Sequence, residues 1–141
     1  MATIESKKVD VKASPEEVFN FVLDLRNLKE LLPQDKISDW QGEETKCSFK
    51  VAGAYKIGLE HQSSSSPNSI ILKSSEGSPL DFDLDIKLNQ IDSGTSAVMV
   101  SNLNVNPFMK LMVEKPLKNL FDYIADQLQK KFDLADSIQP I

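Results

Sequence analysis

Residues 9–33 read VDVKASPEEVFNFVLDLRNLKELLP, a strand pattern that leads directly into helical sequence. Ser14 can cap a helix, Pro15 suits its first position, and Glu17 lies three residues past the cap, so the spacing predicts a helix that begins at Pro15. Apolar residues then recur at helical spacing in two stripes, and the final proline ends the second stripe. The stretch therefore predicts one strand within 3–13, followed by two short helices.

The sequence changes character between Ile37 and Val105, where apolar residues alternate with polar ones and turn residues recur at short intervals. This pattern is typical of antiparallel strands joined by hairpins, and it predicts six strands with a serine-rich loop at 63–68 and a turn at 77–79. The segment 80–88 alternates throughout, with large apolar residues on one face and aspartate and lysine on the other. We therefore expect a sheet with one buried and one solvated face.

A third pattern begins at Asn106 and Pro107, which repeat the combination of a capping residue and a proline. A broad apolar stripe follows and predicts a long C-terminal helix. The predicted fold is α+β, with a seven-stranded antiparallel sheet, two short helices after the first strand, and the long helix last. We expect a single domain over residues 1–134 and a flexible tail over 135–141.

Composition limits the possible partners. The chain has 141 residues and a net charge of -5. Because binding to nucleic acid favours a basic surface, we expect no nucleic-acid partner. Cys47 is the only cysteine and the first residues lack the apolar stretch of a secretory signal, so we expect a reducing, cytoplasmic location. No apolar run reaches the roughly twenty residues that cross a bilayer. Lys110, Lys115 and Lys118 leave peripheral membrane contact open, although interleaved acidic residues favour an ordinary charged surface.

The order of these elements resembles the helix-grip fold of the START-like superfamily (SRPBCC), which includes lipid-transfer proteins, polyketide cyclases and dehydrases, and pollen allergens. Three segments carry the resemblance: residues 9–33, the strand 80–88, and NPFMKLMVEKPLKNLFDYI at 106–124. The likeness is greatest to the small bacterial members. It implies a curved sheet wrapped around the long helix, with a cavity between them that holds a sterol, a fatty acyl chain, a quinone or a polyketide. It implies no cofactor.

The candidate ligand-binding residues are the inward-facing strand positions and the start of the long helix. They are Phe49, Val51, Tyr55, Ile57, Leu59, His61, Phe82, Leu84, Ile86, Met109, Met112 and Val113. Methionine suits a wall that must adapt to its ligand. The same alternation is expected if the sheet and the helix pack into a dry core, because periodicity reports burial and not an empty space.

Few residues offer catalytic chemistry. His61 is the only histidine and shares the predicted inward face with Tyr55, so these two are the candidates for acid/base work, although an exposed histidine at a strand end is the commoner case. Asp81, Asp83 and Asp85 are spaced about 7 Å apart along a strand, too far to chelate one cation, so we predict no metal site.

These observations favour a binding or carrier domain for a hydrophobic small molecule over an enzyme. The first alternative is a polyketide cyclase, aromatase or dehydratase that uses His61 or Tyr55 in the same cavity. The second alternative is a regulator that binds another protein. The sequence leaves the oligomeric state open.

Overall fold

A computed structural model of the protein describes the backbone of residues 2–51, 56–75 and 80–137, and side chains as far as Phe132. The strands are β1 (Ala2–Glu5), β2 (Val9–Val11), β3 (Ile37–Gly42), β4 (Lys46–Val51), β5 (Lys56–Ser65), β6 (Ser69–Ser74), β7 (Phe82–Ile91) and β8 (Gly94–Leu103). The helices are α1 (Pro15–Leu23), a 3-10 helix (Leu25–Leu31) and α2 (Pro107–Ser137). We call residues 15–31, which comprise α1 and the 3-10 helix, the helical arm.

The helices begin at residues whose side chains accept a free backbone N–H. The Oγ of Ser14 accepts from the N–H of Glu17 at 3.2 Å, which confirms the predicted start of α1. The Oδ1 of Asp24 accepts from the N–H of Arg26 at 3.0 Å and begins the 3-10 helix. Asn106 caps α2 in the same way, 2.8 Å from the amide of Met109. Each cap satisfies a donor that the helix itself leaves unpaired.

The strands form one antiparallel sheet in the order β1-β8-β7-β6-β5-β4-β3, with β2 also paired to β8. The predicted first strand is thus divided between β1 and β2. The division lies at Ser6, whose Oγ accepts from the N–H of Met99 at 2.9 Å in place of a backbone carbonyl. The two short strands both pair with β8 and share one edge position of the sheet. The order of the elements confirms the predicted α+β helix-grip fold, with a curved antiparallel sheet and a long C-terminal helix.

The hairpin between β5 and β6 differs from the prediction. Residues 63–65 continue β5, where Ser64 pairs with Ile70 and Ser65 with Ser69, so the predicted loop at 63–68 is wrong for its first half. Ile70 is fully buried, and pairing opposite a buried position outweighs the weak strand preference of serine. The turn predicted at 77–79 lies outside the described residues.

The concave face of the sheet holds α2 and the helical arm. Polar contacts fasten the second half of α2, and among them Lys7 Nζ lies 2.8 Å from Asp126, the side chain of Gln129 donates to the carbonyl of Asp10 at 3.0 Å, and Lys131 pairs with Glu30 on the helical arm. The helix continues to Ser137, and residues 138–141 of the predicted tail lie outside the described residues. None of the helices in the described ranges combines the length and the apolar character needed to cross a bilayer.

Candidate functional site

A largely enclosed apolar cavity of about 40 Å³ lies between the sheet, the helical arm and α2. It is lined by Phe21, Val22, Leu25, Leu28, Leu31, Phe49, Ile57, Leu59, Leu72, Phe82, Leu84, Ile86, Ala97, Val98, Met99, Leu120, Phe121, Ile124, Ala125 and Leu128. Every one of these side chains is apolar, so the described wall offers a ligand no side-chain hydrogen bond and no charge.

The positions of the lining residues follow from the spacing at which strands and helices place side chains on one face. On β5 and β7 the lining residues alternate because successive side chains point to opposite faces of a sheet, whereas β8 contributes three consecutive residues, 97–99. On α2 the lining residues begin at Leu120 and recur three and four positions apart, which places them along one stripe of the helix. The helical arm closes the third side with the same helical spacing.

The structure brings together six of the predicted strand residues. Phe49, Ile57, Leu59, Phe82, Leu84 and Ile86 all line the cavity. Phe49 is fully buried, and Trp40 stacks against it with the ring centroids 6.2 Å apart. Tyr55 lies outside the described residues.

The predicted residues at the start of α2 lie elsewhere. Met109 is half-buried, Met112 is 57% exposed, and Val113 is buried without lining the cavity. The reason is their position along the helix axis, because the part of α2 that faces the cavity begins only at Leu120. Val51 is half-buried at the end of β4, opposite Ile37, and also lies outside the wall.

His61 lies outside the cavity wall as well. It is half-buried in a separate groove of about 340 Å³, beside the end of α1 and among Asp24, Glu44 and Thr45. Its backbone N–H donates to the carbonyl of Thr45 at 2.8 Å. The inward-facing Cys47 is a free thiol, and burial raises its pKa to about 12, which keeps it protonated and unreactive at neutral pH.

The outer face of the sheet uses its aspartates in hydrogen bonds. Asp83 accepts from the backbone N–H of Asn102 at 3.1 Å, and Asp85 accepts from the hydroxyl of Ser69 at 2.9 Å. Among the described residues, no three histidine, cysteine, aspartate or glutamate side chains converge to hold a metal ion.

The sequence-based prediction missed the contribution of the helical arm and of the second half of α2. Phe21, Leu25 and Leu28 were visible as an apolar stripe, and so were Leu120 and Ile124. The stripe identified the buried side of each helix. It carried no information on which part of that side faces a gap and which faces another side chain.

The cavity comes closest to solvent at a seam between the helical arm and α2. Apart from Val98 on β8, the half-exposed lining residues are Phe21, Val22 and Leu28, all on the arm. The rings of Phe21 and Phe132 pack edge to face with their centroids 5.9 Å apart. Above the same ring lies the ammonium group of Lys131, 4.7 Å from the centroid.

The CoxG family model, described as a carbon monoxide dehydrogenase subunit, matches residues 8–135. Similar solved structures include the protein XoxI from Bacillus cereus, with a TM-score of 0.72 and 12% identity over 96% of this chain and 99% of that one. A norcoclaurine synthase point mutant from Thalictrum flavum has a TM-score of 0.75 and 13% identity over 96% of each chain. These identities show the fold alone. Together the matches confirm the resemblance to the START-like superfamily. No curated protein sequence matches the chain.

Proposed function

Because the chain belongs to the CoxG family of carbon monoxide dehydrogenase subunits, we propose that it binds and carries a hydrophobic small molecule in the cavity between the sheet and α2. Domains with this fold typically bind such ligands, and a lipid, a sterol, a quinone or a polyketide would suit the site. The observation that carries the proposal is the uniformly apolar wall. We place the protein in the cytoplasm, where Cys47 stays reduced.

The size of the cavity defines how binding would occur. Its volume is about 40 Å³, whereas sites for small molecules usually enclose about 300–1,000 Å³. A ligand must therefore move part of the wall. Unbroken ladders join β4 to β5 and β6 to β7 and β8, while the 3-10 helix is joined to the turn between β3 and β4 by the bond from the N–H of Leu25 to the carbonyl of Glu44 at 3.0 Å. The helical arm is the wall that can yield.

The same observation favours a carrier over a cyclase or a dehydratase. General acid/base catalysis requires a titratable side chain within hydrogen-bond reach of the substrate. His61 lies in its own groove beside Thr45, and the described wall contains no titratable side chain. A molecule enclosed by this wall would be held without being protonated or deprotonated by it.

The proposal is tested by extracting the purified protein with organic solvent and identifying the released molecules by mass spectrometry. Delipidated protein should then bind a neutral fluorescent probe with saturation. Ala97→Leu fills the cavity and should weaken binding at least about tenfold, since the added side chain exceeds the free volume. Ala13→Leu is the matched control, because Ala13 is half-buried and outside the wall. If neither a molecule is released nor the probe binds, the proposal is wrong.

Exposed side chains near the start of α2 support peripheral membrane contact as part of this function. Phe108, Leu111 and Met112 are 69%, 82% and 57% exposed. They lie at positions i, i+3 and i+4, on one face of the helix, and Lys115 follows on that face. Apolar residues beside lysines on a helix suit the surface of an anionic bilayer.

Membrane contact is tested by flotation with vesicles of phosphatidylglycerol and phosphatidylcholine. The triple variant Phe108→Ser, Leu111→Ser, Met112→Ser should lose most of the bound fraction and keep the thermal stability of the wild type, since these side chains are exposed. Lys130→Gln, a change on an exposed residue of the same helix, should reduce binding only slightly. Equal flotation of the triple variant and the wild type would exclude this role.

A further inference from the structure

We propose that Lys131 binds the carboxylate of a fatty acid at the seam between the helical arm and α2, with the hydrocarbon chain in the cavity. The inference rests on the proposed function, since it names the class of ligand and the end of the molecule that stays at the surface.

The wall decides which part of a ligand enters. The side chains that the structure describes in it are all apolar, and an uncompensated polar group loses its hydrogen bonds to water on burial. A molecule with a long apolar chain and one polar end therefore enters chain first. Its polar end remains at the opening, where water or a surface side chain can bind it.

The position of the opening decides which side chains meet the polar end. Phe21, Val22 and Leu28 line the cavity and are half-exposed, whereas the lining residues of α2 are buried. Lys131 lies over Phe21 with its ammonium group 4.7 Å from the ring centroid, so this charge is in contact with a residue of the cavity wall. The side chain of Lys131 is 36% exposed and has room to turn toward a group that emerges beside the ring.

The charges at the seam favour a carboxylate as the polar end. Lys131 Nζ already lies 3.0 Å from a carboxylate oxygen of Glu30, so this ammonium group is placed to bind the same chemical group on a ligand. Glu30 is 55% exposed and regains water when it is displaced, and an exposed ion pair of this kind is weak. The exchange replaces one carboxylate with another as the partner of the Lys131 ammonium group.

The exchange also couples binding to the opening of the cavity. The pair between Lys131 and Glu30 joins α2 to the helical arm, which is the wall that must yield. A ligand carboxylate that takes the place of Glu30 removes this link while the chain fills the space behind it. Loading and release would then depend on the same ion pair.

The experiment compares dodecanoate with dodecanol, which differ only in the polar end. Affinities are measured by displacement of a neutral fluorescent probe from delipidated full-length protein. Wild type should bind dodecanoate about three- to tenfold more tightly than dodecanol, the range expected for a charge-assisted contact at a partly exposed site, and high salt should reduce the difference.

Variants at the seam assign the difference to Lys131. Lys131→Gln should abolish the preference for dodecanoate over dodecanol, whereas Lys131→Arg should retain it. Glu30→Gln removes the competing carboxylate and should raise the affinity for dodecanoate about two- to fivefold. Lys130→Gln is the matched control, because it removes the same charge from the neighbouring, exposed position and should leave the preference intact.

The outcomes separate this inference from the proposed function. If both ligands bind equally well to the wild type, or if Lys131→Gln keeps the preference, the carboxylate site is wrong and the hydrophobic cavity stands. A stronger affinity for dodecylamine than for dodecanol would also overturn the site, because Glu30 would then be the group that binds. If the protein binds neither dodecanoate nor dodecanol nor the probe, the proposed function itself fails.

Discussion

Helix α2 carries apolar side chains along its described length, but those near its start are exposed and those further along are buried. Residues 107–112 place Phe108, Leu111 and Met112 in solvent, on the side of the helix opposite the core. Residues 113–132 bury their apolar stripe and are fastened by contacts with Lys7, Asp10 and Glu30. An apolar residue on a helix is therefore buried where another element packs against it and exposed where none does, and the residue type alone does not distinguish the two cases.

The largest effect expected from this comparison concerns two phenylalanines. Phe121 is 3% exposed and lines the cavity, so Phe121→Ala should lower the free energy of unfolding by about 3–5 kcal/mol. Phe108→Ala at the exposed end should change it by less than about 0.5 kcal/mol. Chemical denaturation of both variants measures the difference. Equal losses would mean that the first turns of α2 pack as tightly as the rest.

An intermediate effect of opposite sign is expected at Pro116, which lies inside α2 near the junction of the two regions. Its missing N–H leaves the carbonyl of Met112 without a helical donor. Because Pro116 is exposed, Pro116→Ala should restore this bond without disturbing the core and raise the free energy of unfolding by about 1–3 kcal/mol.

Hydrogen exchange should show the gain at Pro116 as greater amide protection in the first turns of α2. Lys115→Ala changes the adjacent exposed residue and should have almost no effect on stability. A loss of stability in Pro116→Ala would show that the proline is required for the packing of the buried half.

The smallest effect concerns the polar contacts of the second half of α2 and depends on pH. The hydrogen bond that the Lys7 ammonium donates to Asp126 holds the pKa of Lys7 above its ordinary value of 10.5. A raised pKa of a base contributes stability that is fully present below the ordinary value and is lost as the pH rises through the folded-state pKa. Thermal melting across the alkaline range should therefore show a small loss that Lys7→Gln abolishes.

Lys8→Gln is the control for the alkaline melting experiment, because Lys8 is the exposed neighbour of Lys7. It should keep the loss that the wild type shows. The same alkaline loss in Lys7→Gln and in the wild type would mean that another group is responsible.

The sequence predicted most of the fold because its local signals agree with the tertiary structure. The cap at Ser14 and the alternation through Leu84 lie where the structure needs them. The prediction of a loop at residues 63–65 was wrong because a run of serines has no strong preference for a strand or a loop, and pairing with β6 makes these residues part of β5. Both cases show that local patterns suffice where they are strong and that pairing decides where they are weak.

The site was less predictable than the fold. Alternation identified the inward face of the strands, and six candidates there do line the cavity. It gave no information on the position of α2 along its own axis, so Met112 was expected in the wall and lies in solvent. It also gave no volume, because a filled and an empty interior produce the same periodicity.

The interruption of the first strand at Ser6 has a consequence for the order of folding. Lys7, released from the ladder, presents its backbone N–H to Asp122 at 2.7 Å and its ammonium group to Asp126. The pair of residues 7 and 122 is separated by 115 positions, while β3 to β8 pair as successive hairpins. Contacts between distant residues form late because a long loop must close first. We therefore expect the hairpins to assemble first and the docking of α2 to limit the folding rate, so the interior stays open to apolar molecules until that final step.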